Sequence, residues 1–272
     1  MKEKKRNKLL LQIVGVLIAL LWLSPFYLMI VNAFKTKNGI FTDVLGLPTE
    51  WTFENFSKAF IDLDFAHSLF NSVLISVLSV GLIIIFSSMA GYALARNTSK
   101  LSAGIFMVFV AAMLIPFQSV MIPLVSLFGQ IDMLNRSGLI FMYLGFGSSL
   151  SIFLYHGAMT GIPRTLDEAA TIDGANRWQL FWKIIFPMLK PISVTVMILN
   201  LIWIWNDYLL PSLVLSADQA TIPLKMFFFF GQYTKQWHLA LAGLTIAIIP
   251  VIIIYFFAQK HIIKGVSDGA VK

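Results

Sequence analysis

The chain has 272 residues, 58% of them hydrophobic and 12% charged, with a mean hydropathy of +0.82 and a formal net charge of +7. A soluble domain has about a quarter of its residues charged, so this composition excludes an ordinary soluble enzyme or binding module and calls for a bilayer as solvent. The absence of cysteine excludes a disulfide framework and any thiolate-held metal.

In chain order, Lys2, Lys4, Lys5, Arg6 and Lys8 precede an uncharged apolar run over residues 9–34. Val31, Asn32 and Ala33 faintly resemble a signal cleavage site, but the run is longer than the roughly 7–15 residues of a signal core, so it is predicted to be a retained first span. Residues 35–67 form the longest outer connection, with Trp51, Phe53, Phe56 and Phe60 placed for a membrane surface. Residues 68–95, 101–131 and 137–163 are the second to fourth spans. Residues 191–217, interrupted by Asp207, are the fifth and residues 239–259 the sixth. Each supplies the roughly 20 apolar residues a helix needs to cross about 30 Å of hydrocarbon. The runs are continuously apolar and not alternating, which selects helices over barrel strands. The aromatic run 227–230 is too short to span and is expected at an interface or inside an external loop.

Orientation follows from Lys and Arg. With the N-terminus inside, the inner segments carry 14 of the 20 basic residues and the outer segments 6, so the positive-inside rule places both termini in the cytoplasm. The basic charge is therefore a topology signal, and no nucleic-acid partner is expected.

The longest inner loop, residues 161–190, reads as structured. Pro163 breaks the fourth span, and Thr165 with Glu168 has the pattern of a capping box. A short helix follows through Ala169, Ala170, Thr171 and Ile172, with Gly174 placed at its exit. Asn176 is predicted to cap a second helix, and Pro187 and Pro191 redirect the chain into the fifth span. Leu166 and Ile172 offer apolar contacts on the first helix, and the small pair Ala169 and Ala170 admits a close neighbour. A DNA-binding helix–turn–helix is excluded by the tether to two spans.

The run Glu168-Ala169-Ala170-x3-Gly174-x9-Ile184-x-Phe186-Pro187 resembles the EAA signature of binding-protein-dependent ABC importer permeases, with Phe186 in place of the usual leucine. Further similarity to carbohydrate-uptake permeases of the MalG type lies at Ser24-Pro25, at 32–35, at Asn71-Ser72, at 90–96, at Ile115-Pro116, at Pro123-Leu124, at Trp205-Asn206-Asp207 and in the tail 259–272. The resemblance implies an all-α polytopic membrane protein with six transmembrane helices and the type I ABC importer permease fold. In that organisation residues 1–67 hold the cytoplasmic N-terminus, first span and external segment. Residues 68–259 are the core with its coupling loop 161–190, and residues 260–272 are the cytoplasmic tail. It further implies a bacterial cytoplasmic membrane, a second permease subunit, two ABC ATPase subunits and an extracytoplasmic sugar-binding protein. Leu166, Glu168, Ala169, Ala170, Ile172, Gly174, Ile184 and Pro187 would couple the chain to the ATPase, and Gly265, Gly269 and Lys272 would place tail contacts on it. The chain has no G-x4-G-K-[ST] phosphate cradle, so ATP and magnesium are expected in the partner, with no cofactor and no catalytic centre here.

An enzyme is disfavoured because His67, His156, His238 and His261 have no ligand spacing and no nucleophile elbow is present. An ion-coupled secondary transporter is the alternative transport class, but it would hold charged residues at membrane depth, and the spans carry almost none. The readings of Asp207 that stand are a residue lining a translocation path with Trp203, Trp205 and Asn206, a helix-packing hydrogen bond, or an outer-interface residue with a Trp belt.

Overall fold

A computed structural model describes residues 2–232 and 236–270. In chain order its helices are α1 (Lys2–Ala33), α2 (Lys37–Thr42), α3 (Glu54–Asp62), α4 (Phe65–Arg96), α5 (Lys100–Ala112), α6 (Phe117–Gln130), α7 (Arg136–Met159) and α8 (Thr165–Ile172). After them come α9 (Arg177–Gln179), a π-helical turn (Leu180–Ile185), α10 (Phe186–Met188), α11 (Lys190–Asn206), α12 (Leu209–Val214), α13 (Ile222–Gln232) and α14 (Trp237–Ala270). No strand occurs among the described residues. The chain forms two compact units, residues 1–65 with 225–252 and residues 66–224 with 253–272.

In the first unit, α1 has apolar residues exposed around its whole circumference from Leu10 to Leu23, as lipid-facing helices do. Its C-terminal end is instead tied down. Asn32 donates from Nδ2 to Leu28 O (2.7 Å) and Val44 O (2.9 Å), and buried Asn55 donates to Ala33 O (2.8 Å) and Lys35 O (2.9 Å). These bonds satisfy carbonyls that the helix end leaves free. The aromatic residues of the outer connection pack on each other: Phe34 meets Trp51, Phe53 and Phe56 at ring separations of 5.4, 5.3 and 4.7 Å. The run 227–230 falls within α13.

In the second unit, α4 and α7 are unbroken helices of 32 and 24 residues. Ser68, Ser72, Ser76, Ser79, Ser87 and Ser88 are all buried along α4, a stripe of small residues that lets neighbouring helices approach in the absence of a hydrophobic driving force between them. Gly91 marks the tightest approach, since a Cβ there would sit 2.6 Å from Tyr155 Cβ on α7. Tyr155 is fully buried, and its hydroxyl donates to Ser193 Oγ on α11 at 2.8 Å.

The third span departs from its expected form. Residues 101–131 read as one continuous helix, whereas α5 and α6 meet at a bend of 103°. The reason is Pro116, which has no N–H to donate and forces the preceding residue out of the helical region. The last turn of α5 tightens accordingly, with Leu114 N bonding Ala111 O (3.0 Å) and Ile115 N bonding Ala112 O (3.3 Å). The fifth span is also segmented. α10 and α11 turn by 75° around Leu189, and α11 ends at Asp207 before the short α12.

Candidate functional site

The loop between α7 and α11 is an ordered assembly docked on the C-terminal end of α4, at Tyr92 and Arg96. Its short helix α8 begins differently from the sequence expectation. Thr165 is not the cap: Arg164 occupies that position in helical geometry (φ −65°, ψ −24°) and no side chain caps the end. Pro163 sets a helical φ one residue upstream, so Thr165 is already inside the helix and cannot take the extended conformation that a capping hydroxyl needs. A capping box does form in this loop, one helix later. Asn176 accepts from Gln179 N at 2.9 Å, and Gln179 Oε1 accepts from Asn176 N at 3.0 Å.

The exit of α8 is as expected. Gly174 has φ +83°, Gly174 N bonds Thr171 O (3.1 Å) and Ala175 N bonds Ala170 O (2.9 Å). This pair is a Schellman closure, and a left-handed residue at its pivot strongly favours glycine.

α8 has two faces. Buried Ala170 and half-buried Leu166 point into the core, where Leu180, Phe181 and Ile185 of the π-helical turn are also buried. Ile184 packs against the same core from a half-buried position, and Pro187 lies exposed in α10. Glu168, Ala169 and Ile172 face outward; Ile172 is 85% exposed. The small pair is therefore split, with Ala170 spent on the core and Ala169 open to a partner. Ile172 does not pack within the chain. The Glu168 side chain has no hydrogen bond or ion pair among the described residues, and Trp178 is also exposed.

What holds α8 in place was not singled out from the sequence. Asp167 Oδ2 lies 2.6 Å from Arg96 Nη2, and the Tyr92 hydroxyl donates to Asp167 Oδ1 at 2.9 Å. Arg96 Nη1 also donates to Ile162 O at 3.0 Å, and the Tyr92 ring packs on Phe181 at 5.6 Å. Arg96 and Asp167 are 16% and 17% exposed, so the pair is well shielded from water. The available signal was a second carboxylate beside Glu168 in the signature loop together with an arginine at the C-terminal end of the second span. In the sequence Arg96 is one of the 14 inner basic residues and the last residue of the family-like stretch 90–96.

At the end of α11, Asp207 makes the packing bond. Its Oδ2 accepts from the Tyr143 hydroxyl at 3.0 Å, while Oδ1 accepts from Leu209 N (2.9 Å) and Leu210 N (3.4 Å), closing the start of α12. Trp205 is buried, and the Asn206 amide turns back onto Ile202 O at 2.7 Å. Trp203 is 40% exposed, with its ring edge-on to Tyr143 at 5.4 Å. Among the described residues no three His, Asp or Glu side chains converge to hold a metal. Gly265 and Gly269 fall in the last turns of α14, and Lys272 lies outside the described residues.

Residues 83–268 match the family described as binding-protein-dependent transport system inner membrane component. The chain belongs to that family. It is 53% identical over the full length of both chains to a probable starch degradation products transport system permease protein of Thermoanaerobacterium thermosulfurigenes. It is 36% identical to the multiple sugar-binding transport system permease protein of Streptococcus mutans, covering 100% of this chain and 99% of that one. To the melibiose/raffinose/stachyose import permease protein of Bacillus subtilis it is 33% identical, covering 99% and 98%. A chain of a bacterial ABC transporter involved in importing the acidic polysaccharide alginate superposes with a TM-score of 0.78 at 23% identity, covering 96% of this chain and 98% of that one. That likeness shows the fold, an all-α one.

Proposed function

We propose that this chain is the membrane-spanning permease subunit of an ATP-driven ABC importer that moves sugars or oligosaccharides inward by alternating access. The observation that carries the coupling role is the two-faced α8. One face is fixed to the second span through Asp167, Arg96 and Tyr92, and the other presents Glu168, Ala169 and Ile172 without partners. A force applied to the outer face reaches α4 through a charged pair and packed rings, so a rigid-body push on α8 moves a span. A short helix closed by a Schellman turn transmits such a push with little loss to bending.

The substrate class rests on the relatives, whose printed names are those of starch-product, multiple-sugar and melibiose/raffinose/stachyose permeases. ATP and magnesium belong, on this proposal, to two cytoplasmic ATPase subunits that receive α8, and this chain contributes no catalytic group. A second permease completes the path. An extracytoplasmic sugar-binding protein delivers substrate, in keeping with the alginate transporter captured with its pentasaccharide-bound periplasmic protein. Both termini are cytoplasmic on the 14-to-6 charge split, with Gly265, Gly269 and Lys272 in a tail that reaches the ATPases. Ion coupling has no observation in its favour, since the carboxylates of Asp167 and Asp207 are engaged in structural bonds.

The test is co-purification of the ATPase with Glu168→Lys, Glu168→Gln and Gly174→Val, with membrane abundance measured in parallel. Glu168→Lys and Gly174→Val are expected to insert normally yet lose ATPase and sugar uptake. Space around Gly174 is open, so valine there is penalised by the φ of +83° alone. Normal assembly and uptake by both variants at normal abundance would remove the coupling role.

A further inference from the structure

The helical piece from α9 to α10, residues 177–188, lies across the direction of the span it feeds, meeting α11 at a bend of 75°. α11 by itself has 17 residues, the short end of what crosses the hydrocarbon, so the span does not need the preceding piece. Membrane helices tilt by about 20° on average from the bilayer normal, and a helix 75° away from such a span runs close to the membrane plane. Its charges agree. Arg177 and Lys183 sit on it and Lys190 just after it, with no Asp or Glu between Gly174 and Asn206. Hydrocarbon rejects that composition, and an interface accepts it.

The piece is two-faced. Leu180, Phe181 and Ile185 are buried in the core, and Leu189 closes the same side. Trp178, Trp182 and Met188 are exposed, together with the three basic residues; Trp178 is 63% exposed. Trp182 stands at the border between the faces, edge-on to Phe181 at 4.9 Å and to Phe186 at 5.0 Å. None of Arg177, Lys183 and Lys190 forms an ion pair among the described residues. The nearest exposed acids along the chain, Glu168 and Asp173, belong to α8 and its exit, and Asp167 is taken by Arg96. Exposed tryptophans and uncompensated cations on a helix in the membrane plane are the make-up of an interfacial element, with indole rings at headgroup level and basic groups among phosphates.

We propose that residues 177–190 are a docking surface for anionic phospholipid, with Trp178 and Trp182 at headgroup level and Lys183 and Lys190 drawn to the phosphates. Charge and orientation together favour a lipid surface over a protein: the piece offers cations without acids, and its bend holds it along the bilayer. Each basic residue near an anionic leaflet favours the contact by about fivefold. α8 rests on the buried side of the same piece, where Ala170 shares a core with Leu180 and Phe181. The lipid contact therefore holds both the base of α8 and the end from which α11 rises. The inference needs α11 to be a span, and does not depend on what binds the outer face of α8.

The chain has no cysteine, so Met188→Cys places a single thiol on the exposed side for an environment-sensitive fluorophore. The full chain, assembled with partner subunits free of reactive thiols, is reconstituted in vesicles of phosphatidylglycerol and phosphatidylcholine in equal parts. One set carries bromine on the phosphatidylglycerol and a matched set carries it on the phosphatidylcholine. Quenching is expected to show a preference for phosphatidylglycerol of at least about fivefold, the effect of one basic residue. The preference should fall toward parity at high ionic strength and in Lys183→Gln/Lys190→Gln, and should persist in Lys183→Arg/Lys190→Arg. Equal quenching by both lipids would mean apolar contact without headgroup recognition and overturns the proposal. Quenching by neither would mean that a partner subunit covers the surface or that it stands in water, and overturns it too. A preference that survives unchanged in Lys183→Gln/Lys190→Gln overturns the role given to the two lysines.

Discussion

The two ends of α4 are both clamped, by opposite chemistry. At the inner end, a charged pair joins side chain to side chain, Arg96 to Asp167, with the Tyr92 hydroxyl on the same carboxylate. At the N-terminal end, His67, Asn71 and Ser72 grip the backbone of the segment before α13. His67 Nε2–H donates to Asp218 O at 2.7 Å, Asn71 Nδ2 donates to Asp218 O (3.3 Å) and Ala220 O (3.2 Å), and Ile222 N donates to Ser72 Oγ (2.9 Å). The segment held at the N-terminal end has little helix of its own, only the short turn Ala217–Gln219, so its backbone groups need partners from elsewhere. α8 satisfies its own backbone and needs only a fixed point. The difference separates a part that must be rigid inside and attached once from a part whose shape is supplied by the helix it lies on.

The largest effect is expected at the inner clamp. Replacing Arg96 or Asp167 with Ala leaves a shielded charge without its partner, and a double-mutant cycle between them should give a coupling of about 1.5–3 kcal/mol in denaturant unfolding. Trypsin should then cut faster at Arg164, Arg177 and Lys183. A coupling near zero would mean that the inner clamp is no stronger than a surface pair.

Asn71→Leu sharpens the contrast from the other end. It removes the donor shared by the Asp218 and Ala220 carbonyls, costing about 1–3 kcal/mol for the loss at Ala220 O, while Asp218 O keeps its bond to His67. Protease sensitivity should rise within residues 215–221 while the tryptic pattern of residues 161–190 stays as in the parent chain. A change at both ends would show the clamps to be one cooperative structure.

The smallest effect concerns pH. The Ser216 hydroxyl donates to Asp218 Oδ1 at 2.6 Å and holds the Asp218 carboxyl below its ordinary value of 3.8, helped by its own backbone amide and, more weakly, by Arg136 and His67. A depressed carboxylate contributes above its unfolded pKa and is lost as pH falls through the folded one. Opening of residues 215–221, read by hydrogen exchange, should therefore be insensitive to this carboxyl between pH 8 and pH 5 and increase only below about pH 3.8.

The ordered loop 161–190 was legible in the sequence because its signals are local. Gly174 at the exit and Asn176 at the next cap are each decided by a few neighbouring residues, and both stand where expected. The misplaced cap at Thr165 shows the limit of a pattern. The same four-residue spacing fits wherever the polar residues fall, and only the helical geometry inherited from Pro163 and Arg164 decided against it. Asp207 could not be resolved from the sequence, because whether a carboxylate near a helix end faces a path or a neighbour depends on Tyr143, 64 residues away.

Composition, apolar run length and local helix signals by themselves determined a helical membrane protein, the positions of its six apolar segments and the ordered loop 161–190, because each depends on the chain's preference for lipid or on bonds within one turn. The tertiary structure alone decided which face of α8 stays open, which residues clamp the ends of α4, and that the broken third span borders a cavity with Asn200 and Ser149 in its wall. Those features join residues tens of positions apart, and in hydrocarbon such pairings are selected by shape and by the need to satisfy every polar group, neither of which any single stretch of sequence contains.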